Sequence, residues 1–574
     1  MRPILTSFLV AALASSAAFS QSPPTLRTTA LYSTVHGSSS SLGPGSTSAR
    51  FIGGQQAFEP LTVNAAGQWA ILGATTDGPT VNVAVIRDGQ IITRIDDPQP
   101  FAQSMATWNS IDDIAINGAG ELAISGAISL GAQGFGAISR HTSAGPGTLS
   151  LTTGVPVGSL LPAFPFPAAN IRFIGSPILT DNGVIGGRLN VMGGAPINSD
   201  HAVFLGNTVL AIEGMVPPGA TAGVQLREAF RNVAASPDGS NHLVWARTNT
   251  PTGLSEVVLV NGNTVLEGNT IIPGSGFSMP IARNGLGFWE ADFDGSGQWY
   301  AVGANTGPGG QAGVTWIVQN GAVIAVGDGS QEVVPGTGEV WVDFFFAFDC
   351  NSAGDRLIGG RSSAPSTSDV ILARTRADGT SQVIAREGDP VDLDGNGLFD
   401  DNYFVRYFAD VPGGPKLLPD GSVLAIVVLR DGTQDTLLRA LCRIGESTAS
   451  CAVSNGTGVN PTDLSCTTDP KLGTTWQLDI ATNSNTVSTS LLLSLAPAAP
   501  FTIPGLGLNE FLLDLNHAIE LPPTTTGVYD IVMPRTSARA FWDLPVYLQG
   551  IRCDSIGGTP TLTATNRIDA VLGF

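Results

Sequence analysis

The sequence predicts an all-β protein, in which a seven-bladed β-propeller over residues 21–445 is followed by a β-sandwich over residues 446–574. Three observations predict this organisation. The composition is rich in turn residues and poor in charge, a four-residue turn recurs seven times, and the repeat stops near Gly445. Together they favour many short strands over helices.

The amino-acid composition alone indicates which structural class the chain belongs to. Gly and Pro account for 71 and 38 of the 574 residues. Only 13% of the residues are charged, against about 25% in an average soluble domain. This balance disfavours a coiled coil, a helical bundle or a disordered chain. The net charge is −20 and there is no basic run that could neutralise a phosphate backbone, so the sequence argues against nucleic-acid binding.

The first twenty residues are typical of a secretory signal peptide. Arg2 is the basic residue at the start, residues 4–14 are apolar, and residues 18–20 form a small-x-small cleavage site before Gln21. The apolar run is short for a membrane anchor, and no later segment approaches the about 20 apolar residues of a spanning helix. We therefore expect an exported protein without a membrane span, secreted or held at the cell surface or in the periplasm.

A four-residue turn that ends in glycine recurs seven times, at intervals of about 60 residues. Its first residue is Asn, Asp, Ser or Thr in six copies, and such side chains can bond the backbone two residues further on. Leu418 is the exception, so that turn must rely on residues 419–421 alone. The closing glycines adopt positive φ without steric cost; they are Gly67, Gly120, Gly183, Gly239, Gly297, Gly354 and Gly421.

A second hairpin follows most of these turns. Dipeptides such as Asp88-Gly89 and Asn261-Gly262 separate β-branched runs, which is a strong indication of a hairpin. Four strands in about 50–60 residues, repeated, correspond to the blades of a propeller. The last copy lacks its fourth strand, and residues 25–35 match the outer-strand pattern, so we expect them to complete the seventh blade. An open array of seven repeats is the alternative.

The last 130 or so residues have a different pattern, with longer alternating strands. Trp476, Leu478 and Ile480 alternate with polar residues, and at least six such segments with Pro-rich turns predict a β-sandwich. Of the five cysteines, Cys451 and Cys466 flank a polar, turn-rich stretch and are the best disulfide candidates. Cys553 is the alternative partner, and the odd number leaves at least one thiol free or intermolecular.

One loop resembles the start of a calcium-binding loop. Carboxylates at positions 1, 3 and 9, an Asn at position 5 and a Gly at position 6 would suit Ca²⁺, with a backbone carbonyl at position 7. Tyr403 stands where the bidentate Glu belongs, so another acid must compensate. The alternative is a solvated acidic turn, and no transition metal is expected here. The predicted ligands are Asp392, Asp394, Asn396, Leu398, Asp400 and Asp401.

Acidic residues on the predicted inner strands are the candidates for chemistry in a central funnel, where a pair of carboxyls could cleave a glycosidic bond. The alternative is that these acids cap strand ends, because their sequence distances from the turn glycine differ between the repeats. The five histidines are scattered and are expected to be surface or turn residues. The Phe344–Phe346 run is expected to be packing core. The candidate acids are Glu59, Asp112, Asp113, Glu290, Asp292, Asp343 and Asp410.

The NxxG turn with its following strand, and the AREGDP segment at residues 385–390, resemble the tandem-repeat propellers of planctomycete-type secreted proteins. The tail, with LPVYLQGIRCD and TLTATNRIDAVLGF, resembles a C-terminal β-domain of exported proteins of the same bacteria. The first resemblance covers about residues 25–445 and the second about residues 446–574. They imply the fold and export, but no known reaction and no catalytic residues.

The sequence therefore favours a secreted or cell-surface, non-catalytic binding or scaffolding protein whose ligand, a protein or a glycan, is unknown. Whether it is an enzyme stays open, with non-catalytic binding preferred. The alternative is a secreted polysaccharide hydrolase or lyase that uses funnel carboxylates. Two carboxyls about 5–10 Å apart that face a common pocket would favour the enzyme. A surface-layer or adhesion protein attached through its C-terminal domain is the third interpretation.

Overall fold

The computed structural model shows an all-β chain. It describes residues 27–35, 38–41, 43, 50–52, 57–77, 80–95, 97, 101, 105–142, 146–250, 253–282, 287–307, 312–329, 332–394, 401–409, 414–432, 434–445, 450–470, 475–502, 510–515, 518–532 and 545–572. The predicted signal peptide, residues 1–20, lies outside them. In this part of the chain the structure has strands and two short 3₁₀ helices, Ser39–Ser41 and Val157–Ser159. None of its helices has the length and apolar character needed to cross a bilayer.

The chain divides into two compact units. The first comprises residues 30–393 and 402–445. The second comprises the described residues within 446–574.

The first unit is built from seven sheets of four or five strands within the described residues. The first strand of the chain, β1 (Arg27–Ser33), belongs to the seventh of them. Sheet 1 contains β2 (Arg50–Phe51), β3 (Leu61–Val63), β4 (Trp69–Asp77), β5 (Thr80–Arg87) and β6 (Gln90–Arg94). Sheet 2 contains β7 (Thr107–Ile116), β8 (Leu122–Leu130), β9 (Gln133–His141) and β10 (Thr148–Thr152). Sheet 3 contains β11 (Asn170–Leu179), β12 (Ile185–Met192), β13 (His201–Leu205) and β14 (Thr208–Ile212).

The next sheets repeat this arrangement. Sheet 4 contains β15 (Gln225–Ala235), β16 (His242–Thr250), β17 (Gly253–Val260) and β18 (Asn263–Glu267). Sheet 5 contains β19 (Phe288–Phe293), β20 (Trp299–Thr306), β21 (Ala312–Gln319) and β22 (Ala322–Gly327). Sheet 6 contains β23 (Trp341–Cys350), β24 (Arg356–Ser362), β25 (Val370–Thr375) and β26 (Ser381–Arg386). In sheets 2 to 6 the strands follow one another in chain order, and their pairs are antiparallel, as hairpin connections require.

Sheet 7 combines the two ends of the repeat region. It contains β27 (Tyr403–Phe408), β28 (Lys416–Leu417), β29 (Val423–Asp431) and β30 (Gln434–Gly445), and β1 lies next to β30. The backbone N–H of Thr34 also donates to the carbonyl of Arg439 at 2.9 Å. The segment that the sequence places beside the last repeat is therefore a strand of this sheet.

Each sheet packs against the next through an apolar cluster, because alternate side chains of strands that are buried on both faces must find apolar neighbours. Sheets 6 and 7 meet where the rings of Phe346 and Phe408 stack at 5.8 Å. Sheets 7 and 1 meet where Tyr32 lies 5.0 Å from Phe51, between ring centroids. Representative pairs in the other five clusters are Leu72 with Trp108, Ile138 with Ile171, Val203 with Val233, Val258 with Phe288, and Ile317 with Phe345.

The second unit has three sheets within its described residues. Its strands are β31 (Ser450–Ser454), β32 (Leu464–Cys466), β33 (Thr475–Ile480), β34 (Thr486–Ser494), β35 (Pro497–Phe501), β36 (Phe511–Leu513), β37 (Ile519–Glu520), β38 (Val528–Val532), β39 (Pro545–Ile556) and β40 (Thr559–Val571). The larger sheets have the orders β31-β40-β39-β34-β37 and β32-β33-β38, and β35 pairs with β36.

One core joins the two larger sheets of this unit. Trp476, Leu478 and Ile480 of β33 are buried in it, as their alternation predicts, together with Leu548 of β39 and Ile568 of β40. A disulfide links Cys451 and Cys466, the pair that the sequence favours. Cys350, Cys442 and Cys553 are outside any disulfide.

Candidate functional site

The innermost strands of all seven sheets, with the turns that follow them, line one cavity of about 370 Å³. This volume lies within the range of about 300–1,000 Å³ that is usual for small-molecule sites. Apart from Trp245 of β16, the lining residues fall within the segments 60–65, 113–118, 176–181, 231–237, 289–295, 349–352 and 416–419.

The repeated turn holds its shape through the first side chain. Asn64 Oδ1 accepts hydrogen bonds from the backbone N–H groups of Ala66 at 3.0 Å and Gln68 at 2.9 Å. The same two bonds recur at Asn117, Asn351 and Asp294. The predicted bond to the backbone two residues on is confirmed at these four turns. The hydroxyls of Thr180 and Ser236 accept instead from the N–H groups of Val184 and Asn241, four and five residues on.

The asparagine turns are also linked from sheet to sheet, which the turn pattern alone does not predict. Asn64 Nδ2 donates to the carbonyl of Asn117 at 2.7 Å, and Asn117 Nδ2 donates to the carbonyl of Thr180 at 3.2 Å. Asn351 Nδ2 donates likewise to the carbonyl of Leu418 at 2.9 Å. Asp has no side-chain donor for this bond, so the choice of Asn over Asp at the first position was the available signal.

Lys416, the first residue of β28, lies among carboxyl groups in the cavity. Burial alone would lower the pKa of Lys416. The neighbouring carboxylates of Asp349, Asp292 and Glu290 outweigh that effect and hold its pKa above the usual value. Lys416 is one of only two lysines in the chain, which was the only sign of its importance in the sequence.

Glu290 and Asp292 lie two residues apart on β19, so their side chains share one face of the strand. Burial raises the pKa of Glu290 to about 7, although Lys416 and a hydrogen bond from the Tyr300 hydroxyl at 2.6 Å oppose the shift. Burial also raises the pKa of Asp292, against the charge of Lys416 and a hydrogen bond from the Phe293 N–H at 2.7 Å. Both residues line the cavity.

Asp349 ties three sheets together at the cavity wall. Its Oδ1 accepts from the N–H groups of Gly295 at 3.0 Å and Cys350 at 2.9 Å, and its Oδ2 accepts from the N–H of Leu417 at 2.8 Å. Burial raises the pKa of Asp349, while Lys416 and these N–H groups oppose the shift. Both oxygens of Asp349 therefore accept hydrogen bonds from the backbone.

Asp113 on β7 is the other cavity carboxyl with a large shift. Burial raises the pKa of Asp113 to about 6, against a hydrogen bond from the Ile114 N–H at 2.9 Å and the charge of Arg188.

The structure brings together three of the seven predicted inner-strand acids, namely Asp113, Glu290 and Asp292. Glu59 instead pairs with Arg439, and Asp343 is exposed and lies 3.5 Å from Arg361. Asp112 is exposed as well, and Asp410 lies outside the described residues.

The phenylalanine run is only partly the packing core that the sequence predicts. Phe345 and Phe346 are buried. Phe344 is half-buried and stacks on Trp289 at 5.3 Å between ring centroids, and Trp289 lines the cavity.

The predicted calcium loop is described in part. Asp392 is fully buried, and the backbone N–H of Asp394 lies 3.4 Å from Asp401 Oδ2. Three further predicted ligands lie outside the described residues, and they are Asn396, Leu398 and Asp400.

No protein-family model matches the chain, and no curated protein matches it. Among solved structures, prolyl oligopeptidase B from Galerina marginata is similar at 10% identity and a TM-score of 0.29, over 75% of this chain. The match spans 57% of that protein, a little over half of its length. A gluconolactonase from Xanthomonas campestris is similar at 11% identity and a TM-score of 0.22, over 75% of this chain and 99% of that one.

Proposed function

We propose that the protein is an exported, non-catalytic binding protein. In this proposal the seven sheets are the blades of a closed β-propeller, residues 446–574 form a β-sandwich, and the central cavity holds the ligand. The observation that carries the proposal is the cavity of about 370 Å³ to which every one of the seven sheets contributes its innermost strand. Export rests on the signal-like first twenty residues.

The cavity chemistry suits a small polar ligand, such as the terminal sugar of a glycan. Glu290, Asp292 and Asp113 offer carboxyl oxygens that can accept hydrogen bonds from hydroxyl groups, and Trp245 and Trp289 add aromatic surface. A few polar groups among aromatic side chains are typical of binding pockets.

Two features favour binding over catalysis. Both oxygens of Asp349 accept hydrogen bonds from backbone N–H groups, so this carboxyl holds the cavity wall together. Lys416 is embedded among the remaining acids and stabilises their charge.

A glycan array with the full chain tests the proposal, followed by calorimetric titration of each glycan that binds. We expect Asp292→Asn to weaken binding at least about tenfold, because a charge-assisted hydrogen bond contributes about 1.5–3 kcal/mol. Asp343→Asn is the matched control, since this exposed acid lies outside the cavity lining. Equal binding by both variants would reject the cavity as the site, and an array without any binding would reject the glycan ligand.

A hydrolase is the second candidate, and one observation favours it. Glu290, with its pKa near 7, is partly protonated at neutral pH, and Asp292 shares its face of β19. Such a pair could act as general acid and base on a glycoside. Release of reducing ends from polysaccharides by the full chain, reduced about 10²–10⁴-fold in Glu290→Gln, would establish this function and overturn non-catalytic binding.

We propose in addition that the loop over residues 392–401 binds Ca²⁺ as a structural ion. The spacing of its acids, its Asn and its Gly supports the proposal. Calcium binding should raise the melting temperature, and Asp394→Ala should remove that rise.

A further inference from the structure

We propose that a second site, formed by Asp200, His201 and Glu213 at an end of sheet 3, binds a divalent transition metal such as Zn²⁺. These three side chains offer donor atoms that all lie within 4.8 Å of one another. None of the three lines the central cavity, so the inference is independent of the proposed ligand site.

Three neighbouring strands bring these residues together. His201 is the first residue of β13 and lies opposite Asn190 of β12. Glu213 directly follows β14, and its backbone N–H donates to the carbonyl of His201 at 2.9 Å. Asp200 precedes β13, and its carbonyl accepts from the N–H of Val191 at 2.8 Å. The backbone of each ligand is therefore fixed by the sheet before any ion binds.

Both carboxylates converge on one ring nitrogen. His201 Nδ1 lies 2.7 Å from Asp200 Oδ1 and 3.4 Å from Glu213 Oε2. Zinc bonds to nitrogen and oxygen ligands are about 2.0–2.2 Å long, so two ligands of a tetrahedral site lie about 3.3–3.6 Å apart. The Glu213 distance already meets this requirement, and Asp200 reaches it by a small rotation of its side chain.

The electrostatics of the cluster favour a cation. The Glu213 side chain is only 9% exposed, and the second carboxylate lies beside it. Two carboxylates in such proximity need a proton or a cation between them, and a metal ion would supply the charge.

The donor set selects the kind of metal. Ca²⁺ and Mg²⁺ take oxygen ligands, whereas one imidazole with two carboxylates suits Zn²⁺ and related transition metals. His201 is 33% exposed, which leaves room for water at a fourth position.

Calorimetric titration of the metal-free full chain with Zn²⁺ tests the inference, with Co²⁺ as a second probe because its visible spectrum reports coordination. We expect one Zn²⁺ per chain at this site. His201→Ala and Glu213→Gln should abolish it. His242→Ala is the matched control, because His242 also begins a strand, β16, but is not part of the cluster.

Each outcome decides the question. Loss of binding in Glu213→Gln, with an unchanged circular dichroism spectrum and retained binding in His242→Ala, supports the site even if His201→Ala fails to fold. Binding of Zn²⁺ that is equal in all variants, or no binding at all, overturns it. Ca²⁺ that competes equally with Zn²⁺ would also overturn it, since the imidazole would then play no part.

Discussion

Replacing Glu290 by Gln should change how the stability of the seven-sheet unit depends on pH. Burial raises the pKa of Glu290 from 4.5 to about 7, so the folded protein holds this proton more tightly than the unfolded chain does. Stability is therefore lost as pH rises from about 4.5 to about 7, because the carboxyl must ionise in the cavity. Gln cannot ionise, so the variant should escape that loss.

The size of this change in the free energy of unfolding follows from the pKa shift of Glu290. A difference of about 2.5 pKa units at 1.36 kcal/mol each corresponds to about 3 kcal/mol. The variant should therefore gain about 3 kcal/mol relative to the unsubstituted protein between pH 4 and pH 8. Any cost of the substitution itself, such as an altered contact with the Tyr300 hydroxyl, is the same at each pH and leaves this difference unchanged.

Urea unfolding at several pH values, followed by tryptophan fluorescence, measures the difference. The control is Glu228→Gln, because Glu228 is 48% exposed and lies outside the cavity lining. A stability difference between Glu290→Gln and the unsubstituted protein that stays constant from pH 4 to pH 8 would refute the reasoning. It would mean that water or another partner stabilises the Glu290 carboxylate as well as bulk solvent does.

Three other predictions concern the turns, the loop and the second unit. Asn64→Asp keeps the turn but loses the donor to the Asn117 carbonyl, so chemical unfolding should show a loss of about 1–3 kcal/mol; an unchanged midpoint would contradict this. Ca²⁺ should raise the melting temperature by mass action, and Asp394→Ala should abolish the rise; no response in the unsubstituted protein rejects the loop. Residues 446–574 expressed alone should unfold cooperatively and lose about 3 kcal/mol on reduction, since the Cys451–Cys466 disulfide closes a loop with a sequence separation of 15; an unfolded fragment would contradict this.

Local sequence patterns predict the strands and turns well. The Asn-x-x-Gly turns need one side-chain acceptor and one residue with positive φ, and both requirements are visible in four residues. Gly67 and Gly120 adopt φ of 80° and 76° accordingly. The strand pattern at Trp476, Leu478 and Ile480 is equally local, because alternation reports which face is buried.

The cavity could be predicted only in part, because it depends on residues that are distant in sequence. Asp113, Glu290 and Asp292 were identified from their strands, but Asp112, Asp343 and Glu59 have the same local appearance. Only the three-dimensional arrangement shows which of these acids faces inwards. Lys416 and Asp349 were missed for the same reason, since their roles come from groups in other sheets.

The proposed metal site could not be predicted from the sequence, because spacing rules describe familiar motifs. Asp200, His201 and Glu213 do not form a recognised ligand pattern in the sequence, where the histidines are scattered. The hairpin of β13 and β14 brings Glu213 back beside His201. The signal that could have found it was a His-containing pair at the start of a predicted hairpin with an acid at its end.

The position of β1 beside β30 has a consequence for the order of folding. Sheets 1 to 6 are formed by neighbours in sequence, so each can assemble as soon as its own segment is available. Sheet 7 instead requires residues 27–33 to meet residues 434–445, and the bond from Thr34 to Arg439 spans 405 residues. Residues 27–33 must therefore wait for the last of the repeats, and the edge of β30 has no β1 to pair with until then.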